Sequence, residues 1–253
     1  MLLRLNFMKL FAYRADLISG CIAHSIWASF VIIQMLLLTS KTSHVFGWSR
    51  NELLLLSAMY NIVFSFFYLL FSRGFSTLST TILYGRLDGI LTKPIDSQFL
   101  LTSLYITYTH LIRLVIGSGF LVYMLNLLHI RVTPFLFIGF LSLVFFSVMI
   151  LYSVWMIVMT LTIWFPKLSN LSDLLYQVNG VARFPQEIYR GASSYLLFVL
   201  FPLTLIVTTP VKFLLQKALF GDIFALMVSA MTLWFISRLF WRFALRYYTS
   251  ASN

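Results

Sequence analysis

Few residues of this 253-residue chain could do chemistry. The segment GRLDGILTK, Gly85 to Lys93, carries the glycines and lysine that suggest a phosphate-binding loop. A loop that cradles nucleotide phosphates on backbone N–H groups needs G-x-x-x-x-G-K-[ST]. That spacing is missing here and elsewhere in the chain. The four histidines, His24, His44, His110 and His129, have no ligand-like spacing with one another, and the single cysteine, Cys21, excludes a multi-cysteine site. No metal site and no cofactor are therefore expected. There is no hydrolase serine motif, and none of the seven acids lies in the middle of a clear apolar span. These absences disfavour a membrane-embedded enzyme and a proton-coupled carrier with a buried carboxylate relay. The expectation is a chain with no catalytic residues, moved by something else.

The elements that hold these residues are written in the composition. The chain is 60% hydrophobic and 10% charged, whereas about a quarter of the residues of a soluble domain carry charge. A bilayer is the expected solvent. Several apolar runs reach the ~20 residues that a helix needs to cross it, without the alternation of a barrel strand. The fold class is therefore all-α, a polytopic membrane protein. The net charge of +11 gathers at the ends of apolar runs, which fits membrane topology better than a nucleic-acid partner. The basic amino terminus resembles a secretory signal, but the run Ile22–Thr39 is long enough to span, so the first helix is expected to stay attached.

Five spans are clear, at about 22–39, 52–72, 101–126, 134–163 and 222–241. Between Trp164 and Lys217 there are two candidates for one further crossing. Residues 195–216 are the more apolar but contain Pro202 and Pro210, which remove helix hydrogen bonds. Residues 167–184 carry Leu168, Leu171, Leu175, Val178 and Ala182 at helical spacing, opposite Asn170, Asp173, Gln177 and Asn179. If the second candidate crosses, the proline segment dips in and returns as a re-entrant outer hairpin. Either choice gives six crossings. Nine basic residues (Arg4, Lys9, Arg14, Arg73, Arg86, Lys93, Arg238, Arg242 and Arg246) then fall on one side against three (Lys41, Arg50 and Arg131) on the other. The positive-inside rule makes both termini and the 73–100 loop cytoplasmic, in the inner (plasma) membrane. Trp48, Trp164, Trp241, Tyr247 and Tyr248 fall where interfacial aromatics belong.

Within that loop, YGRLDGILTKPIDSQFLL reads as a short helix broken before Pro94 and a second helix capped by Asp96 or Ser97. It would present a helical knob to the cytoplasm. Here the chain resembles the ABC-2 family of transport permeases, in the branch with a G.LD..L.KP...QF pattern after the second span: Gly85, Leu87, Asp88, Leu91, Lys93, Pro94, Gln98 and Phe99. The likeness continues in RFPQEIY (Arg183–Tyr189), in the Pro202 and Pro210 segment, and in ALRYYTSAS (Ala244–Ser252). The resemblance implies a coupling helix seated in a groove of a separate ABC ATPase subunit, with residues 86–99 in contact: Arg86, Leu87, Asp88, Ile90, Leu91, Lys93, Pro94, Gln98 and Phe99. It also implies an interfacial helix at about 2–20, a second permease copy or a related permease, and the re-entrant form with 167–184 as the fifth span. Charge placement argues the other way, because Arg183, Arg190, Lys212 and Lys217 then lie outside or in the outer leaflet.

Arg113 falls near the middle of the third span, on a face with Thr109, His110 and Gly117, and no carboxylate in a clear span can neutralise it. Two readings stay open. Thr109, His110 and Arg113 line a translocation path for anionic or amphipathic cargo, or Arg113 snorkels or bonds backbone carbonyls. The stripe Arg238, Arg242 and Arg246 is expected on anionic lipid head groups, and Gln34 and Asn61 between helices. The functional expectation is the permease subunit of an ATP-driven exporter. The rivals are a membrane scaffold for a cytoplasmic partner and, less well supported, a secondary transporter.

Overall fold

A computed structural model describes residues 14–41, 44–45, 47–103, 105–165, 170–191 and 194–249. The described residues are 80% helical with almost no sheet, which makes this an all-α protein. Among the described residues five helices are long and apolar enough to cross a membrane, one at each of the five clear runs of the sequence, although the third covers only the later part of its run. α1 (Arg14–Leu38) is followed by a two-residue hairpin, β1 (His44–Val45) with β2 (Trp48–Ser49), and then by α2 (Arg50–Ser76). Residues 14–20 run without a break into the first span. Residues 1–13, on which most of the expected interfacial helix falls, lie outside the described residues.

α2 is the central post. Every residue from Leu53 to Ser65 is buried, as a helix apolar on all sides must be. α1, the third crossing and the helices Pro134–Thr160 and Ser194–Leu214 pack around it. Its start is fixed by Glu52, whose Oε2 accepts from the Ser49 N–H at 2.9 Å, satisfying a donor that the helix leaves orphaned.

Beyond α2 the loop folds into α3 (Leu78–Leu83), the single turn α4 (Asp88–Leu91) and α5 (Ser97–Ser103). The third span, expected as one helix over 101–126, is divided. α5 ends at Ser103, residues 105–109 are not helical, and α6 runs His110–Leu127. The cause is local: Tyr105, Ile106, Thr107, Tyr108 and Thr109 are aromatic or β-branched, types that lose side-chain freedom in a helix. The exposed backbone is satisfied in part by α2, where the Leu69 carbonyl accepts from the Thr107 N–H at 2.9 Å. α7 (Pro134–Thr160) starts on Thr133, whose Oγ1 accepts from the Leu136 N–H, and extends through a 3-10 turn to Ile163.

In the ambiguous stretch both candidates have structure. The 167–184 candidate becomes α8 (Leu171–Val178) and a 3-10 turn to Arg183, with 167–169 outside the described residues. The 195–216 candidate becomes α9 (Ser194–Leu214), helical through both prolines. Contacts trace the first along α2: Tyr176 against Tyr68, Asn179 Nδ2 donating to Tyr68 OH at 2.9 Å, Arg183 over Tyr60, and Glu187 accepting from Trp48 Nε1 at 2.9 Å. α10 (Phe220–Leu245) closes the bundle against α7.

The hairpin end is tied by ion pairs. Lys212 bridges Glu187 (2.9 Å) and Asp222 (3.6 Å), and Lys217 pairs with Glu52. These acids give Lys212 and Lys217 a reason to lie at that end, which weakens the charge objection to a crossing at 167–184. At the loop end Arg238 Nη1 donates to Asp96 Oδ1 at 2.7 Å and to Gln98 Oε1 at 3.3 Å. Trp241, expected at an interface, is instead buried and donates to Ser97 Oγ at 3.1 Å. Arg238 is therefore held by Asp96 rather than committed to lipid, while Arg242 and Arg246 stay exposed.

Two outcomes are expected. A Cβ at Gly74 would meet the Thr102 carbonyl oxygen at 2.3 Å, a backbone atom that cannot swing away. Gly74→Val should cost about 1–3 kcal/mol, lowering the unfolding midpoint in detergent by about 2–4 °C per kcal/mol. Gly89→Ala, with open space around it, should leave the midpoint unchanged. Arg238 holds the Asp96 carboxyl below the usual carboxylate range, against partial burial and with help from the Phe99 N–H. A depressed pKa contributes stability above the unfolded value of about 3.9 and loses it as pH falls through the folded value. The midpoint difference between wild type and Asp96→Asn should be constant above pH ~5 and shrink below pH ~4. With Asp96 41% exposed, that difference corresponds to less than about 1 kcal/mol.

Candidate functional site

The loop forms a knob whose shape depends on buried anchors. Gly85 turns the chain at φ +65°, a conformation that favours glycine. Leu87 then enters the core fully buried, and Gln98 is 1% exposed. These two were expected among the contact residues, but a buried side chain cannot reach a partner, so they position the knob. Asp88 and Ile90 are half-buried; Arg86, Leu91, Lys93, Pro94, Ile95 and Phe99 are exposed. The cap of α5 is Asp96, whose Oδ1 accepts from the Phe99 N–H at 2.9 Å. Tyr248, from the C-terminal motif, lies near Asp88, and burial followed by that carboxylate raises its phenol. Two sequence landmarks more than 150 residues apart thus meet at one end of the bundle.

Beside the knob is a cavity of about 1050 Å³ between α2, α5, α7 and α10. Its walls include Phe71, Ile106, Phe145, Met149, Met231 and Trp234, and the Asp96–Arg238 pair lies at one edge. An apolar space with one polar border suits a chain with a polar head. The sequence did not announce it, because its walls come from helices far apart in the chain.

Arg113 lies in the first turn of α6 rather than mid-helix, yet it sits at mid-depth, because its Nε donates to Asn61 Oδ1 at 2.9 Å and Asn61 is near the middle of α2. The side chain is 2% exposed. Its guanidinium lies over Tyr60 at 5.3 Å and Tyr68 at 5.9 Å. Asn61 is held in turn by the Ala28 and Ser57 carbonyls, both at 3.3 Å. Gly117 allows this approach, since a Cβ there would lie 2.9 Å from Asn61 Cβ. α1 covers the expected path residues: His24 meets His110 with ring centroids 3.9 Å apart, and Gly20 packs on Thr109. Thr109, His110 and Arg113 therefore face a helix, not an open channel, in this conformation.

A second arginine shares the site. Arg183 stands over Trp27 at 5.0 Å and over Tyr60 at 5.5 Å, and its Nη1 donates to Gln34 Oε1 at 3.5 Å. Sequence reasoning finds in Arg183 only a misplaced topogenic charge; its place in RFPQEIY is the signal that was available. A cation at the bilayer centre costs about 2.5–3.5 kcal/mol on insertion scales. A ring contact returns about 0.5–2 kcal/mol and a hydrogen bond to a charged group about 1.5–3 kcal/mol. Both arginines have two rings and a hydrogen bond, but that of Arg183 is long, 3.5 Å against 2.9 Å for Arg113.

A family model described as "ABC-2 family transporter protein" matches residues 25–252, from the first helix into the C-terminal motif. No curated protein and no solved structure matches the chain. The match spans the broken third crossing, the knob, the two arginines and the cavity alike. With five apolar helices of spanning length, this makes the protein a multi-pass membrane protein, and the chain belongs to the ABC-2 transporter family.

Proposed function

We propose that the protein is the permease subunit of an ATP-driven exporter, working with separate ABC ATPase subunits and with a second copy of itself or a related permease. The observation that carries this reading is the knob. Exposed Arg86, Leu91, Lys93, Pro94 and Phe99 ride on a loop that Leu87, Gly74 and the Asp96–Arg238 pair join to α2 and α10. A loop so anchored can pass movement from a soluble partner into the spans, which a mobile linker cannot do. The family supplies the kind of partner, and the chain's lack of a phosphate-binding loop leaves ATP hydrolysis to that partner.

In this reading the bundle has six crossings, the fifth running from Asn170 to about Pro185 beside α2. Glu187 and Lys212 are paired, so the chain between them leaves and returns to the same end, as a re-entrant segment does. The loop end is cytoplasmic, by the excess of lysine and arginine there, in the inner membrane. Substrate leaves the cytoplasm or the inner leaflet at the interface between two permeases, and Thr109, His110 and Arg113 meet the path when α1 shifts.

The test is recovery of the ATPase with tagged permease from mild detergent. Leu91 and Ile95 are 39% and 53% exposed, so Leu91→Asp, Ile95→Asp alters the knob surface without disturbing the core. Wild type should bring down an ABC ATPase, and the variant at least about tenfold less, a loss of about 1.4 kcal/mol. No ATPase with wild type, under conditions that preserve another ABC complex, overturns the reading.

A further inference from the structure

Arg113 and Arg183 place two permanent cations around one ring, Tyr60, at mid-depth. The chain's own acids are committed or placed elsewhere. Glu52 pairs with Lys217, Glu187 and Asp222 with Lys212, and Asp96 with Arg238. Asp88 is near Tyr248, Asp173 near Tyr176, and Asp16 is in the first turn of α1. Among the described residues neither arginine has a carboxylate within ion-pair distance. Donors are left over as well: Arg113 Nη2 and Arg183 Nε are buried without a hydrogen-bond partner.

We propose that Arg113 and Arg183, which both approach the Tyr60 ring and have Asn61 and Gln34 as their supports, bind one oxyanion group, a phosphate or a carboxylate. Guanidinium N–H forks match the paired oxygens of such groups, and the match strengthens where water is excluded. Arg113 is the deep donor. Arg183 is half-buried beside Trp27, which is 43% exposed, and the neighbouring α1 surface is apolar, with Ile26, Phe30 and Ile33 exposed. An anionic head carried on an apolar chain fits an approach from that side. The inference rests on the permease reading only for its purpose, as the substrate chemistry; the binding itself needs no transport.

The test is the unfolding midpoint of the full-length protein in a neutral detergent, titrated with dodecyl phosphate, dodecyltrimethylammonium or inorganic phosphate. Dodecyl phosphate should raise the midpoint saturably and the cationic amphiphile should not. Arg183→Gln should need at least about ten times more dodecyl phosphate for the same rise. Arg183→Lys should recover part of the response, and Arg242→Gln, an exposed residue of the last helix, should match wild type. If inorganic phosphate reproduces the rise, the site takes a free anion; if it does not, the site takes an amphiphile. Arg113→Gln should abolish the response, and should it fail to fold, Arg183→Gln decides alone. No rise with either phosphate, an equal rise in Arg183→Gln, or an equal rise with the cationic amphiphile overturns the proposal. If these fail while the ATPase still copurifies, the anion site falls and the permease reading stands. If the anion binds and no ATPase copurifies, the site stands and the permease reading falls.

Discussion

The burial of α2 on every side from Leu53 to Ser65 is the constraint around which the molecule is arranged. A helix with no free side must satisfy every polar group inside the bundle, and each element around α2 does so at a different level. Glu52 closes its first turn, Asn61 fixes Arg113 at mid-depth, Leu69 lends a carbonyl to the broken third span, and Gly74 admits the backbone of α5. In hydrocarbon an unmet backbone group costs several kcal/mol, so the irregular backbone at 105–109 depends on being packed beside this post. The break also lies beside the cavity, with Ile106 in its wall.

How much of this was legible from sequence depended on range. Apolar runs of spanning length reveal themselves, because a membrane helix needs only its own residues to satisfy its backbone. The positions of anchors do not. Leu87 and Gln98 stand in the same motif as Leu91 and Phe99, and nothing in the pattern distinguishes those that turn inward. Arg238 looks like a lipid contact because its neighbours Arg242 and Arg246 repeat the spacing, yet Asp96, 142 residues earlier, takes it. Asn61 and Arg113 are each conspicuous alone; their pairing spans 52 residues.

The stretch from Trp164 to Lys217 shows the same limit from another side. Hydropathy favours Ser194–Leu214 because it counts residues and ignores neighbours. The more polar Leu171–Arg183 segment can lie within the bundle because Tyr68 and Tyr60 receive Asn179 and Arg183. Polar residues of a buried segment become intelligible only when their partners are known. The lysines at the hairpin end are likewise accounted for by acids from three separate parts of the chain.

Those ion pairs have a mechanical consequence. Lys212, Glu187, Asp222, Lys217, Glu52 and Trp48 stitch the β hairpin, α2, α9 and α10 together at one end, while the ion pair described at the opposite end is Asp96–Arg238, beside a large void. Ion pairing between elements is thus unevenly distributed along the bundle, and separating the helices breaks more charge contacts at the stitched end than at the other. In a rotation about the stitched end, displacement would grow with distance from the pivot and be largest at the rim where the knob projects.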